Sequence, residues 1–198
     1  VMNSQTGLRT ERRMSHVYVL DVPTYSKPLL VSDGAINIYP DLAAKRDIVQ
    51  NAIDLAHALG VAQPRVAILS ATETVNPRII STVDAAALCK MAQRGQITGG
   101  LIDGPLAFDN AISPGAAATK GILSPVAGDA DILVAPNLDA ANMIAKQLIY
   151  LAGADAAGIV LGAKVPIIVT SRADSSVTRL ASCALAQLFI NGPRPRVS

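Results

Sequence analysis

Apolar residues in this chain fall into short solid runs separated by stretches of helical period. Residues 16–22 (HVYVLDV), 65–70 (RVAILS), 100–103 (GLID), 132–135 (ILVA) and 167–170 (IIVT) read as strands. Runs this continuous suit strands covered on both faces, where neither side meets water. Residues 29–31 continue the first strand after an interruption bounded by Pro23 and Pro28. Between the strands the period lengthens. In residues 41–59, Ile48, Ala52, Leu55, Ala56 and Leu59 recur at helical spacing and Gly60 ends the helix. Residues 81–94 form a second helix, with Ser81 and Asp84 at capping-box spacing. A third starts near Asp139 and runs to residue 151, placing Asn142 and Lys146 one turn apart. Residues 175–190 form the closing helix. Strand and helix alternate about every 30 residues, which calls for right-handed crossovers and an α/β fold with a three-layer, mainly parallel sheet.

Composition narrows this. Of the 198 residues 51% are hydrophobic but only 3% aromatic, so the core must be built from Ala, Ile, Leu and Val. No apolar run approaches the roughly 18 residues that a membrane span needs. Residues 1–14 are polar and basic, with no period and no apolar h-region, so they read as a segment wandering over the surface and not as a signal peptide. The net charge is +2, and Arg9, Arg12, Arg13, Arg179, Arg194 and Arg196 sit towards the two ends. Charge spread this thinly argues against a nucleic-acid face but suits a phosphate-bearing small molecule. Cys89 and Cys183 lie in expected helices among Ala and Leu and read as small buried hydrophobes of a reduced, cytoplasmic protein. His57 lacks a partner at ligand spacing, and two His with two Cys make no structural zinc site. No dinucleotide fingerprint or P-loop is present.

Polar residues gather where the strands should end, at 70–73, 103–110, 124–128 and 171–174. In a parallel sheet these ends share one edge and converge on one crevice. The unit from Ser124 through the strand at 132–135 to Asn142 sets backbone N–H groups and an amide there, suited to an anion. Arg172 follows an apolar strand directly. It either holds a phosphate through its planar fork of donors or pairs with Asp174 or Asp103. Ser171 donates to an oxyanion or caps the next helix. Asp33 contacts a ligand or forms an Asx-turn.

Three segments then carry a resemblance. DGPLAFDNA (103–111), SPVAGDADILVAPNLDAANMIAKQL (124–148) and VPIIVTSRADS (165–175) resemble, in order, the phosphate acetyltransferase and phosphate butyryltransferase family. The wording is nearest the butyryltransferase-like branch, which includes the acyltransferase part of proteins that also carry an enoyl-CoA hydratase domain. The resemblance implies two α/β domains of the isocitrate/isopropylmalate-dehydrogenase-like type with a cleft between them, commonly in a homodimer. Residues 33–157 would form the second domain, and 1–32 with 158–198 parts of a first domain whose N-terminal part is missing. It implies transfer of an acetyl or short acyl group between coenzyme A and inorganic phosphate, with no metal or redox cofactor. Ser171 and Arg172 match the family's pair that stabilises the leaving thiolate or intermediate and orients phosphate. Asp109, Ser124, Gly128, Asn142 and Lys146 match cleft positions, and Ser70 joins them at a strand end. Two departures stand out: Tyr150 replaces an Arg of the acetyltransferases, and Thr178 replaces their Asp, a role that Asp174 one turn earlier could take. An acyl-CoA-sensing regulatory domain, as in malic enzymes, is the alternative that those departures keep open.

Overall fold

The computed structural model describes residues 7–192. Its strands are β1 (Ser15–Asp21), β2 (Leu29–Ser32), β3 (Arg65–Leu69), β4 (Leu101–Leu106), β5 (Ile132–Val134), β6 (Asp155–Leu161) and β7 (Ile167–Ile168). The helices are α1 (Leu42–Ala58), α2 (Ile80–Gln93), α3 (Phe108–Ile112), α4 (Pro114–Thr119), α5 (Leu138–Tyr150) and α6 (Ser176–Asn191). All seven strands join one sheet in the order β4-β3-β5-β2-β1-β6-β7.

The pairings β3–β4, β3–β5 and β2–β5 are parallel, while β1 is antiparallel to both β2 and β6, and β7 antiparallel to β6. Five strands therefore point one way, and β1 and β7 run against them. The sheet is mainly parallel in direction, as expected, but mixed. β2 does not continue β1: the chain reverses between Pro23 and Pro28, and Leu20 faces Leu29 across the ladder. The expected turn at Gly104-Pro105 lies inside β4, where the register with β3 shifts between Ala67 and Leu69. A Cβ on Gly104 would come within 2.7 Å of the Ile68 carbonyl oxygen, so only glycine allows this approach.

Alternation along the strands builds two apolar layers. Val17, Leu30, Val66, Ile68, Ile132, Val134 and Ile159 face α1, α2 and α6, with Ile53, Leu55 and Leu88 fully buried among them. Leu20, Val31, Ala67, Leu69 and Leu133 face α5 and the 106–130 segment. Helix caps follow local chemistry. Asp41, Ser113, Asn137 and Ser175 each accept a backbone N–H of the first turn of α1, α4, α5 and α6. The capping box expected for α2 does not form. Its N-cap is Ile79; Ser81 instead bonds Ser70 at 2.8 Å, and Asp84 pairs with the buried Lys45 of α1 at 2.6 Å. Tertiary partners outcompete the local cap.

Three further expectations need correction. Residues 7–14 do not lie loose: Arg9 bridges to Ala163, and Arg12 pairs with Asp54. Cys183 is exposed on α6 and Cys89 half-buried, both free thiols, so only Cys89 has a partly sequestered setting. Burial and the Asp103 carboxylate push the Cys89 thiol up to about 11. The third concerns polar groups at the strand ends, described below. Arg194 and Arg196 lie outside the described residues, among which no helix is long and apolar enough to cross a membrane.

Candidate active site

The polar strand ends form two groups. β7 runs against β3, β4 and β5, so the chain leaving it heads for the opposite edge of the sheet. Residues 171–174 therefore do not join 70–73, 103–110 and 124–128 in one crevice. The expectation of a single crevice assumed that every strand ran parallel.

The first group surrounds β3 and β4. Ser70 holds its backbone N–H on Leu106 and its hydroxyl against Ser81. Asp109, exposed at the start of α3, pairs with Lys120 at 3.1 Å, and Lys120 also reaches Glu73 at 3.5 Å. The hydrogen bond from Lys120 holds the Asp109 carboxyl below its usual range. Asn110 is fully buried, reaches Glu73 at 3.4 Å, and leaves its Oδ1 without a partner. Ser124 accepts from the Val126 and Ala127 N–H groups in a tight turn. Gly128, at φ 85°, donates to the Asn110 carbonyl, and a Cβ there would strike Pro114.

The second group is a cavity of about 160 Å³ between α5, β1, β6 and the turn that leads into α6. Lys146, Thr170, Ser171, Asp174 and Thr178 supply its polar wall. His16, Tyr18, Ile149, Ala156 and Val169 supply much of the rest. The turn is built locally. Asp174 accepts the Ser171 N–H, the Ser171 hydroxyl accepts from Ala173, and the Asp174 N–H returns to the Ser171 carbonyl. Ser175, not Ser171, caps α6 by accepting from Thr178 at 3.1 Å. The Ser171 hydroxyl thus lines the cavity free of that duty.

On α5, Asn142, Lys146 and Tyr150 share one face at four-residue spacing. Asn142 donates to the Gly34 carbonyl at 3.1 Å, beside Ala35 of the cavity wall. Lys146 places its Nζ 5.8 Å from the Tyr150 ring centre and has no carboxylate at ion-pair distance among the described residues. Arg172 is exposed, and neither Asp174 nor Asp103 pairs with it. Asp33 is an Asx-turn residue: its carboxylate accepts from the backbone of His16, Ala35, Ile36 and Asn37.

Sequence patterning missed His16, Tyr18 and Gly158: the two rings are neighbours on one face of β1, but Gly158 joins them only across the β1–β6 ladder. His16 is buried with its Nδ1 unpartnered, and its ring lies edge-on to Tyr18 with centroids 4.3 Å apart. Burial pushes the imidazole down to about 4, against the opposing pull of the Asp33 and Asp174 carboxylates. Burial likewise raises the Tyr18 phenol, and those two carboxylates add to it. Among the described residues no cluster of His, Cys, Asp and Glu could hold a metal ion.

The family model described as phosphate acetyl/butaryl transferase matches residues 2–187. The phosphate acetyltransferase of Rhizobium meliloti is 67% identical over 96% of this chain and 60% of its own length. A probable phosphate butyryltransferase of Bacillus subtilis is 52% identical over 94% of the chain and 62% of its own. The crystal structure of a branched-chain phosphotransacylase from Enterococcus faecalis superposes with a TM-score of 0.88 at 35% identity, covering 97% of this chain and 68% of that one. The chain spans about three fifths of the length of these two curated relatives.

Proposed function

From the premise that the chain belongs to the phosphate acetyl/butaryl transferase family, we propose that it catalyses acyl-CoA + phosphate ⇌ acyl phosphate + CoA. Acetyl-CoA or a short-chain acyl-CoA such as butyryl-CoA is the acyl donor, and no metal or redox cofactor takes part. The observation that carries this reading is the meeting of Lys146, Ser171 and Asp174, from two distant motifs, in one small cavity.

A phosphate oxygen attacks the thioester carbonyl, the carbonyl oxygen takes negative charge, and the C–S bond breaks to release the thiolate. Holding the two reactants together is the main demand. Lys146, without a carboxylate partner among the described residues, and the exposed Arg172, next in the chain to Ser171, are the cations for the phosphate. Ser171 donates to the oxyanion or to the departing sulfur. Asp174, within the same turn, exchanges the proton of the CoA thiol. Asn142 orders the Gly34–Ala35 corner through its bond to Gly34. Ser70, Asp109, Ser124 and Gly128 form a separate group; we assign them to a more remote part of the CoA or to the support of β4 and β5.

The wider architecture belongs to the same proposal. The described sheet would be part of a two-domain, isocitrate-dehydrogenase-like subunit, with 33–157 as the second domain. That subunit would dimerise, work in the cytoplasm and in some settings be fused to an enoyl-CoA hydratase domain. The relatives' names favour the transferase over the acyl-CoA-sensing alternative.

Free-thiol release from acetyl-CoA and butyryl-CoA, with and without phosphate, tests the reading. Release should require phosphate, and Arg172→Ala should lower it about 10²–10³-fold. Folded protein that binds acyl-CoA but releases no thiol would turn the reading to the regulatory domain.

A further inference from the structure

Building on the transferase reading, we infer that the aromatic ring of Tyr18 is the wall that limits the length of the acyl chain. The cavity holding Lys146, Ser171 and Asp174 has two chemically different sides. Its donors come from α5 and from residues 170–178, with Ile149 and Val169 among them, whereas the floor laid by β1 and β6 offers the Tyr18 ring with Ala156, Ala157 and Gly158. Phosphate and the thioester oxygen belong with the donors. The acyl tail, on the far side of the carbonyl carbon, then meets the apolar side.

Several neighbours hold the ring in place. On one side it lies against Gly34, where a Cβ would come within 2.6 Å of Tyr18 Cε2. On the other it faces Gly158, its partner in the β1–β6 ladder, where a Cβ would come within 2.7 Å of His16 Nε2 and 3.6 Å of Tyr18 Cδ1. The His16 ring abuts it at 71°. Two glycines thus make the space for the rings, and the rings fill it. Half-buried overall, the ring is confined on the two flanks where it lies against the Gly34 and Gly158 backbone. The phenol keeps its proton across the working range, since burial raises it. At about 160 Å³ the cavity is also smaller than the groove of about 520 Å³ with which it shares Ala156, Ala157 and Thr178.

The test compares kcat/KM for acetyl-, butyryl- and hexanoyl-CoA with phosphate in the wild type, Tyr18→Phe and Tyr18→Val. Tyr18→Val should raise the hexanoyl-to-acetyl ratio about tenfold or more, since each methylene in an apolar pocket is worth about 10-fold or above. Tyr18→Phe keeps the ring and should leave the ratio within about twofold. An unchanged ratio in folded Tyr18→Val overturns the inference, as does an equal shift in Tyr18→Phe. Should Tyr18→Val not fold, Ile149→Ala opens the same cavity from α5 and carries the same expectation, and an unchanged ratio there overturns it. Absence of turnover with every acyl-CoA would count against the transferase reading instead. The ring's role would then be read from calorimetric affinities of the same three acyl-CoA compounds: a shifted ratio in Tyr18→Val upholds it, and an unshifted one ends it.

Discussion

His16 and Asp33 share one backbone corner, and they show how differently two polar residues can be buried. Asp33, 3% exposed, accepts hydrogen bonds from four backbone N–H groups and from the Asn37 side chain. His16, 2% exposed, leaves Nδ1 unpartnered. Burial holds the imidazole down to about 4 in the folded chain, against about 6.5 when unfolded. Between those values the unfolded chain holds a proton that the folded chain does not, so stability is lost as the pH falls from 6.5 towards 4. The loss contributed by His16 is about 3 kcal/mol at its fullest. Urea midpoints measured from pH 7 to 4.5 should therefore fall less steeply for His16→Asn than for the wild type; parallel curves would contradict this. Some of this scale was legible in advance. Ser-Asp-Gly marked a corner, but two uses of Asp33 were equally open until its acceptor role was visible. The orphaned imidazole carried no sequence signal, since its burial depends on β6, far along the chain.

At the scale of elements, helices declared themselves through period and caps, so α1, α5 and α6 fall within a residue or two of their expected limits. Strand direction did not. β6 is Ala- and Gly-rich at its start (DAAGIVL), offers no β-branched run there, and was not foreseen. Without it neither the reversal of β7 nor the separation of Ser171 from Ser70 could be inferred. The α2 capping box failed for a related reason, because Asp84 is recruited by a lysine 39 positions away. That contact makes its own prediction. Lys45 is 5% exposed, so Asp84→Ala strands a buried ammonium and should cost about 3–5 kcal/mol. The double variant Lys45→Met, Asp84→Leu should recover most of it. Chemical denaturation reads both, and a double variant no better than the single would show that the helices need the ion pair itself.

For the molecule as a whole, the sheet ends on one side at the two-residue strand β7, with α6 beside it. α6 buries Ser182, Leu185 and Ala186 and turns Val177, Leu180 and Leu188 outward, at 67%, 72% and 54% exposure. Tyr150 and Leu151 at the end of α5 are exposed as well. So much apolar surface favours association. Sedimentation of this chain should show a concentration-dependent rise in mass, which Leu180→Lys with Leu188→Lys should lower. A monomer at every concentration would contradict the expectation. The mainly parallel α/β character was legible from alternation alone, while the closure of all seven strands into one sheet was not.

The place of β1 has a consequence in time. It sits between β2 and β6, so one of its edges closes early with its hairpin partner and the other waits for residues 155–161. At ribosomal rates of about 5–20 residues per second, that wait lasts roughly 7–27 s. Throughout it the nascent chain carries an open, apolar strand edge in the middle of its future sheet. A ribosome that pauses between the codons for Asp21 and Asp155 would prolong that state.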